Sequence, residues 1–184
     1  MKLSLLSICL GLGLSLPQIY GLMSPSKFAE AARKFPRSVP IGWTLMLLGT
    51  AWFVYIVNYE PIADFSAYKT YMMIGFAAVG VLACIFVSDF LAVRGLAVVL
   101  MLLGKLMVDT GRPHLGESGF VLVNQTLAYF FVVIGMWLTI TPWRLRDWLS
   151  WLNANEQRIR VGCGLRLAFF LFIASLGFTA FRTM

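Results

Sequence analysis

Long apolar runs free of Asp, Glu, Lys and Arg dominate the chain. Leu3–Ser26, Ser38–Tyr59, Thr70–Ser88 and Ser118–Trp143 are four of them. Val161–Phe181 is a fifth, broken only by Arg166. That arginine lies one turn inside the start of its run, from which its side chain can snorkel to the headgroups. A helix of roughly 20 mostly apolar residues crosses a bilayer, so each run has the length of a span. A sixth segment, Phe90–Val108, is interrupted by Arg94 and Lys105. These two lie 11 residues apart, about 16 Å along a helix, so each can reach toward its own end. A full span is the reading adopted, with a re-entrant segment as the alternative. The pattern predicts an all-α, polytopic transmembrane helical bundle of about six helices. It forms a single integral membrane domain over 1–184, with spans near 3–23, 39–59, 70–88, 90–108, 119–141 and 161–181.

Composition agrees with the pattern. Of the 184 residues 60% are hydrophobic and 12% charged, where a soluble domain carries about a quarter charged. No polar stretch is long enough for a separate soluble domain. The net charge of +7 would point to nucleic acid in a soluble protein. Here the charge sits between apolar runs, so it reads as topology and as contact with anionic lipid headgroups, and no nucleic-acid partner is expected. Cys9, Cys84 and Cys163 each lie in or beside an apolar run, with no CxxC. They read as small apolar side chains, not as a disulfide or zinc framework.

The basic residues give a direction. Lys27, Arg33, Lys34 and Arg37 lie between the first two spans, and Arg94 opens the fourth. Arg144, Arg146, Arg158 and Arg160 lie between the last two, with Arg166 just beyond. The other side has only Lys2, Lys69, Lys105, Arg112 and Arg182. The positive-inside rule places the richer side in the cytoplasm and both termini outside. Met1-Lys2 before an apolar run resembles the start of a signal peptide. Cleavage there would put Lys27–Arg37 outside, against the charge bias, so the run is read as an uncleaved first helix.

The two ends of the chain look alike. Each has an apolar helix, a Ser-Pro or Thr-Pro, a basic segment with aromatic residues, and a second apolar helix that opens near a glycine. Pro25 would match Pro142, and Gly42 would match Gly162. The middle hairpin adds one echo, LMLLG at 45–49 and again at 100–104. Ser24-Pro25 and Thr141-Pro142 read as an N-cap with Pro at the first helical position. In the second connector Leu145, Trp148, Leu149 and Leu152 recur at helical spacing, while Arg144, Asp147 and Asn155 fall off that stripe. In the first, Phe28, Ala32 and Phe35 oppose Glu30 and Lys34. Both connectors read as helices in the headgroup plane, with partner binding as the alternative. Trp143, Trp148 and Trp151 suit that interface.

The unit from Gly21 to Gly49, through Pro25, Phe28, Phe35-Pro36-Arg37 and Gly42, resembles the short YjeT-like proteins of bacterial inner membranes. Those are two apolar helices joined by a basic segment. The resemblance covers the first third of the chain and, more loosely, the last third. It implies architecture and a multi-pass bacterial inner-membrane location, and no catalytic residue.

Three places hold groups able to carry chemistry. The stretch Lys105 to Glu117 contains Asp109, Arg112 and the single histidine, His114. Asp109 or Glu117 beside His114 would suit a proton relay or a weak metal site; a charged loop capping two helices is the plainer reading. A zinc site needs three or four ligands, and no metal or cofactor is expected. Asp89 and Arg94 flank the turn between the third and fourth spans, as a turn-closing ion pair or a cytoplasmic gate. Asn124, Gln125, Thr126, Thr139 and Thr141 are polar groups inside a span, suited to helix packing or to binding a polar solute. Small residues recur every fourth position at Ser7, Gly11 and Ser15, and at Gly80, Cys84 and Ser88. Such faces let helices approach closely, within the bundle or in a homo-oligomer.

The chain has no GxxxxGK[ST], no HExxH and no GxSxG, which removes P-loop ATPases, zincins of that type and the nucleophile elbow. A structural or accessory membrane subunit, with a membrane-complex partner or a second copy, fits best. A small-solute transporter is the alternative. An intramembrane enzyme built on Asp109, His114 and Glu117 comes third.

Overall fold

The structure is a computed structural model that describes residues 2–60 and 66–182. Eight α-helices lie among them: α1 (Leu3–Met23), α2 (Pro25–Lys34), α3 (Val39–Tyr59), α4 (Lys69–Phe86), α5 (Leu91–Gly111), α6 (Phe120–Ile140), α7 (Trp143–Leu152) and α8 (Glu156–Phe178). No strand occurs among the described residues. Six helices (α1, α3, α4, α5, α6 and α8) are long and apolar enough to cross a membrane. The chain is an all-α, multi-pass membrane protein.

Local chemistry sets the helix ends. Pro25 opens α2, where its missing N–H costs nothing. Pro40 sits in the first turn of α3 for the same reason. Asn155 caps α8, its side chain accepting the Gln157 N–H at 3.5 Å. Thr141 departs from its expected capping role. Its hydroxyl donates back to the Trp137 carbonyl at 3.0 Å, inside the helix it follows. The α5 segment with two internal cations is one unbroken helix of 21 residues, with no re-entrant break. The α8 helix starts five residues before the apolar run, because the cap at Asn155 lets Glu156–Arg160 join it. It ends at Phe178, and the chain then folds back. The Phe181 N–H donates to the Leu176 carbonyl at 2.9 Å, and its ring is fully buried with Leu3, Val121 and Leu176.

The end units share a plan of lengths, 21, 10 and 21 residues in α1–α2–α3 and 21, 10 and 23 in α6–α7–α8. The described chain forms two compact units. The first comprises Met1–Arg33, Leu103–Phe131 and Arg146–Met184. In it α1 and α8 run antiparallel at backbone distance. A Cβ on Gly11 would lie 2.6 Å from the Phe170 carbonyl oxygen and from the Ala174 nitrogen. Gly177 approaches Ser4 and Ile8 at the other end in the same way. The face of Ser7, Gly11 and Ser15 is therefore buried within the chain.

The second unit comprises Lys34–Leu102 and Val132–Leu145. Here α3 and α5 run parallel: Gly42 meets Leu91 and Ala92, Gly95 meets Leu45 and Met46, and Gly49 meets Val98. The repeated LMLLG thus does not mark matching levels, since Gly49 pairs with Val98 and not with Gly104. Against α3, α4 runs antiparallel, with Gly80 on Thr50 and Phe53 edge-on to Phe76 at 4.8 Å. Gly80 and Cys84 are buried, whereas Ser88 is exposed. The turn from α4 to α5 passes through Phe90 in a left-handed conformation, φ 55°. Its carbonyl accepts the Val93 and Arg94 N–H groups that open α5.

Candidate functional site

The cluster expected from Lys105 to Glu117 separates into two local pairs. Lys105 Nζ lies 2.6 Å from Asp109 Oδ2, one helical turn apart on α5. His114 Nδ1 lies 3.1 Å from Glu117 Oε2 across the turn that follows. Glu117, not Asp109, therefore partners the histidine, because Asp109 faces its own helix neighbour. Arg112 is exposed at the start of a short 3-10 turn, Arg112–His114. No group of three His, Cys, Asp or Glu side chains able to hold a metal comes together among the described residues.

The ion pair expected between Asp89 and Arg94 does not form. Asp89 is exposed in the turn, while Arg94 is half-buried one turn inside α5, and its Nε has no hydrogen-bond partner. The left-handed Phe90 between them turns the chain into α5 immediately after Asp89.

The amides of α6 behave differently from each other. Gln125 Nε2 donates to the Val108 carbonyl of α5 at 3.2 Å. Gly111 makes the room, since a Cβ there would lie 2.5 Å from that nitrogen. Asn124 is fully buried, yet neither Oδ1 nor Nδ2 has a partner. Ser7 of α1 is also fully buried with its hydroxyl unpaired. Leu3 and Val121 pack in one cluster, and Ser7 and Asn124 each follow by one turn on helices that cross in the same direction. Unpaired buried polar groups therefore gather in the first unit, where Gln18 Oε1, Gln125 Oε1 and Asn153 Nδ2 also lack partners. The threonines are satisfied within their own helix. Thr126 donates to the Leu122 carbonyl and Thr139 to that of Gly135, the usual way such groups sit in a span.

The basic connectors make contacts that the sequence did not announce. Ala29 of α2 packs with Ile159 and Cys163 of α8. Arg33 Nη2 donates to the Asn153 carbonyl at 3.2 Å, tying the first connector to the turn between α7 and α8. Around that turn Trp151, Leu152, Gln157, Arg158, Val161 and Gly162 line a cavity of about 370 Å³. The Arg158 guanidinium lies 5.2 Å from the centre of the Trp151 ring. Of these residues Trp151, Leu152, the charge of Arg158, Val161 and Gly162 carried a sequence signal, none of it pointing to a shared cavity. Asn153 and Gln157 carried none, because a polar residue in a turn has no periodicity to betray its partner.

Family models, curated proteins and solved structures were compared with the chain, and none matches. The likeness to YjeT-like proteins rests on the residues quoted for it alone.

Proposed function

We propose that the chain is a structural or accessory subunit of a bacterial inner-membrane assembly, receiving one transmembrane helix of a partner protein along α3 and α4. The observation that carries this reading is the α4 face. Only 11% of its apolar window is buried, against 44% in α5 and in α6. Beside it runs an apolar groove of about 670 Å³ whose lining includes the small residues Thr50, Ala51 and Ala77 along with Leu47, Tyr55 and Met73. Acyl chains conform to any apolar surface, but close approach of a helix backbone needs small residues. The ionisable candidates support the same reading. Lys105, Asp109, His114 and Glu117 are engaged with neighbours three or four positions away and are partly exposed. That arrangement suits anchoring in headgroups better than acid–base chemistry. The positive-inside asymmetry of the basic residues supports α2 and α7 in the cytoplasmic headgroup layer and both termini outside.

A photo-crosslinking residue in place of Ala77, activated in native membranes, tests this. The expected product is a protein adduct of one discrete mass. Adducts to lipid alone would overturn it.

A second reading, passage of a small polar solute, is favoured by one observation: the unpaired Asn124 and Ser7. Flux in proteoliposomes that survives Asn124→Leu unchanged would remove it.

A further inference from the structure

We propose that the cavity at the turn from α7 to α8 is a discrete binding site for one anionic phospholipid, independent of which reading of function holds. The residues at its mouth and floor differ in kind. Leu152, Val161 and Gly162 are apolar, whereas Gln157 and Arg158 are polar and sit at the headgroup end of α8. The Arg158 guanidinium rests over the Trp151 indole. Among the described residues no acceptor meets its N–H groups. A guanidinium stacked on an aromatic face keeps its edge donors pointing outward, in the fork that fits a phosphate. Contact with the indole also narrows the rotamers open to the side chain, so less freedom is lost when the phosphate arrives.

The charges around the site are asymmetric. At about 100° per residue, Gln157, Arg158, Val161 and Gly162 share one side of α8. Glu156 falls almost opposite, and Arg160 is well round the helix. On α7, Asp147 is engaged by Arg146 at 2.8 Å. No carboxylate therefore lines the cavity. Below the mouth the same side of α8 continues as Val161, Leu165 and Phe172, exposed by 71, 74 and 43%. A phosphate on Arg158 would leave its acyl chain lying along that stripe, into the bilayer. The site thus matches a lipid in both parts: a fixed cation for the headgroup, and an apolar track leading away from it.

The test is retention of phosphatidylglycerol over phosphatidylcholine with the same acyl chains, read by native mass spectrometry of the full chain released from detergent. The expected result is one phosphatidylglycerol held per chain in preference to phosphatidylcholine. Arg158→Gln should lower that preference about fivefold. Val161→Trp, which fills the cavity and leaves every charge in place, should lower it comparably. Arg160→Gln, on another side of α8, should leave it unchanged. All three positions are exposed, so the fold tolerates the changes. The proposal is overturned if Val161→Trp keeps the preference, or if Arg160→Gln loses as much as Arg158→Gln, because binding would then follow total charge.

Discussion

Replacing Gly11 by alanine should weaken the contact between α1 and α8, and replacing Gly13 should not. A methyl on Gly11 would stand 2.6 Å from two backbone atoms, the Phe170 oxygen and the Ala174 nitrogen. Ordinary carbon contacts lie at about 3.5–4.0 Å. Backbone inside a helix cannot step aside, so α8 as a whole must retreat by about 1 Å. A gap of that size forfeits a quarter to a half of each dispersion contact along the seam. Overpacking of this kind costs about 1–3 kcal/mol. Alanine regains about 1 kcal/mol of helix propensity over glycine, so the net loss at Gly11 is at most about 2 kcal/mol. Gly13 is the internal control. It lies two residues away on the same helix, and a methyl there meets nothing within 4 Å. Gly13→Ala should therefore be neutral or slightly stabilising. Equilibrium unfolding by SDS titration in mixed micelles, followed by near-UV circular dichroism, gives both values. If the two variants are equally stable, the glycine seam between α1 and α8 is not formed as described.

Three other outcomes follow from the geometry. Asn124→Leu should stabilise the protein by about 1–3 kcal/mol in the same assay, because it removes two unpaired buried polar atoms and keeps the branched shape of the side chain; a loss of stability would show that the amide has a partner. Lys105→Met breaks a pair whose side chains are 39 and 51% exposed, so it should change stability by less than about 1 kcal/mol; a larger loss would mean the pair is shielded from water. Gln125→Leu removes the hydrogen bond to Val108, and thermal unfolding in nanodiscs should register a loss of about 0.6 kcal/mol, the average for such bonds between membrane helices. No change at all would place that bond outside the energetics of the fold.

The sequence revealed the spans because a bilayer demands one thing of every residue in a stretch, and charge-free runs record it directly. It revealed the connectors for a similar reason: Pro25, and the spacing of Leu145, Leu149 and Leu152, are local signals. The span ends slipped where caps and tails intervene. Asn155 extended α8 backward, and Phe181 left the helix to pack on Leu3. Partners across helices were less legible. Asp89 and Arg94 are close in sequence, yet a left-handed Phe90 separates them, and that conformation has no signature in an aromatic residue. Gly11, Ser7 and Ser15 were recognisable as a close-packing face, but their partner, α8, lies more than 150 residues away. Asn124 and Gln125 are adjacent and look equivalent. Only the fold distinguishes the amide that reaches Val108 from the one that reaches nothing.

The central claim is that six helices cross the membrane, with α2 and α7 on one face and the turn after α5 on the other. Single cysteines at Ser26, Ser150 and Leu115, each in a background where exposed Cys9 is replaced by alanine, test it in sealed vesicles with a membrane-impermeant thiol reagent. Six spans put positions 26 and 150 after one and five crossings, and position 115 after four. The cysteines at 26 and 150 should react from the same side, and the one at 115 only from the opposite side. Reaction of 26 and 150 from opposite sides, or of 115 together with either, would contradict the six-span fold.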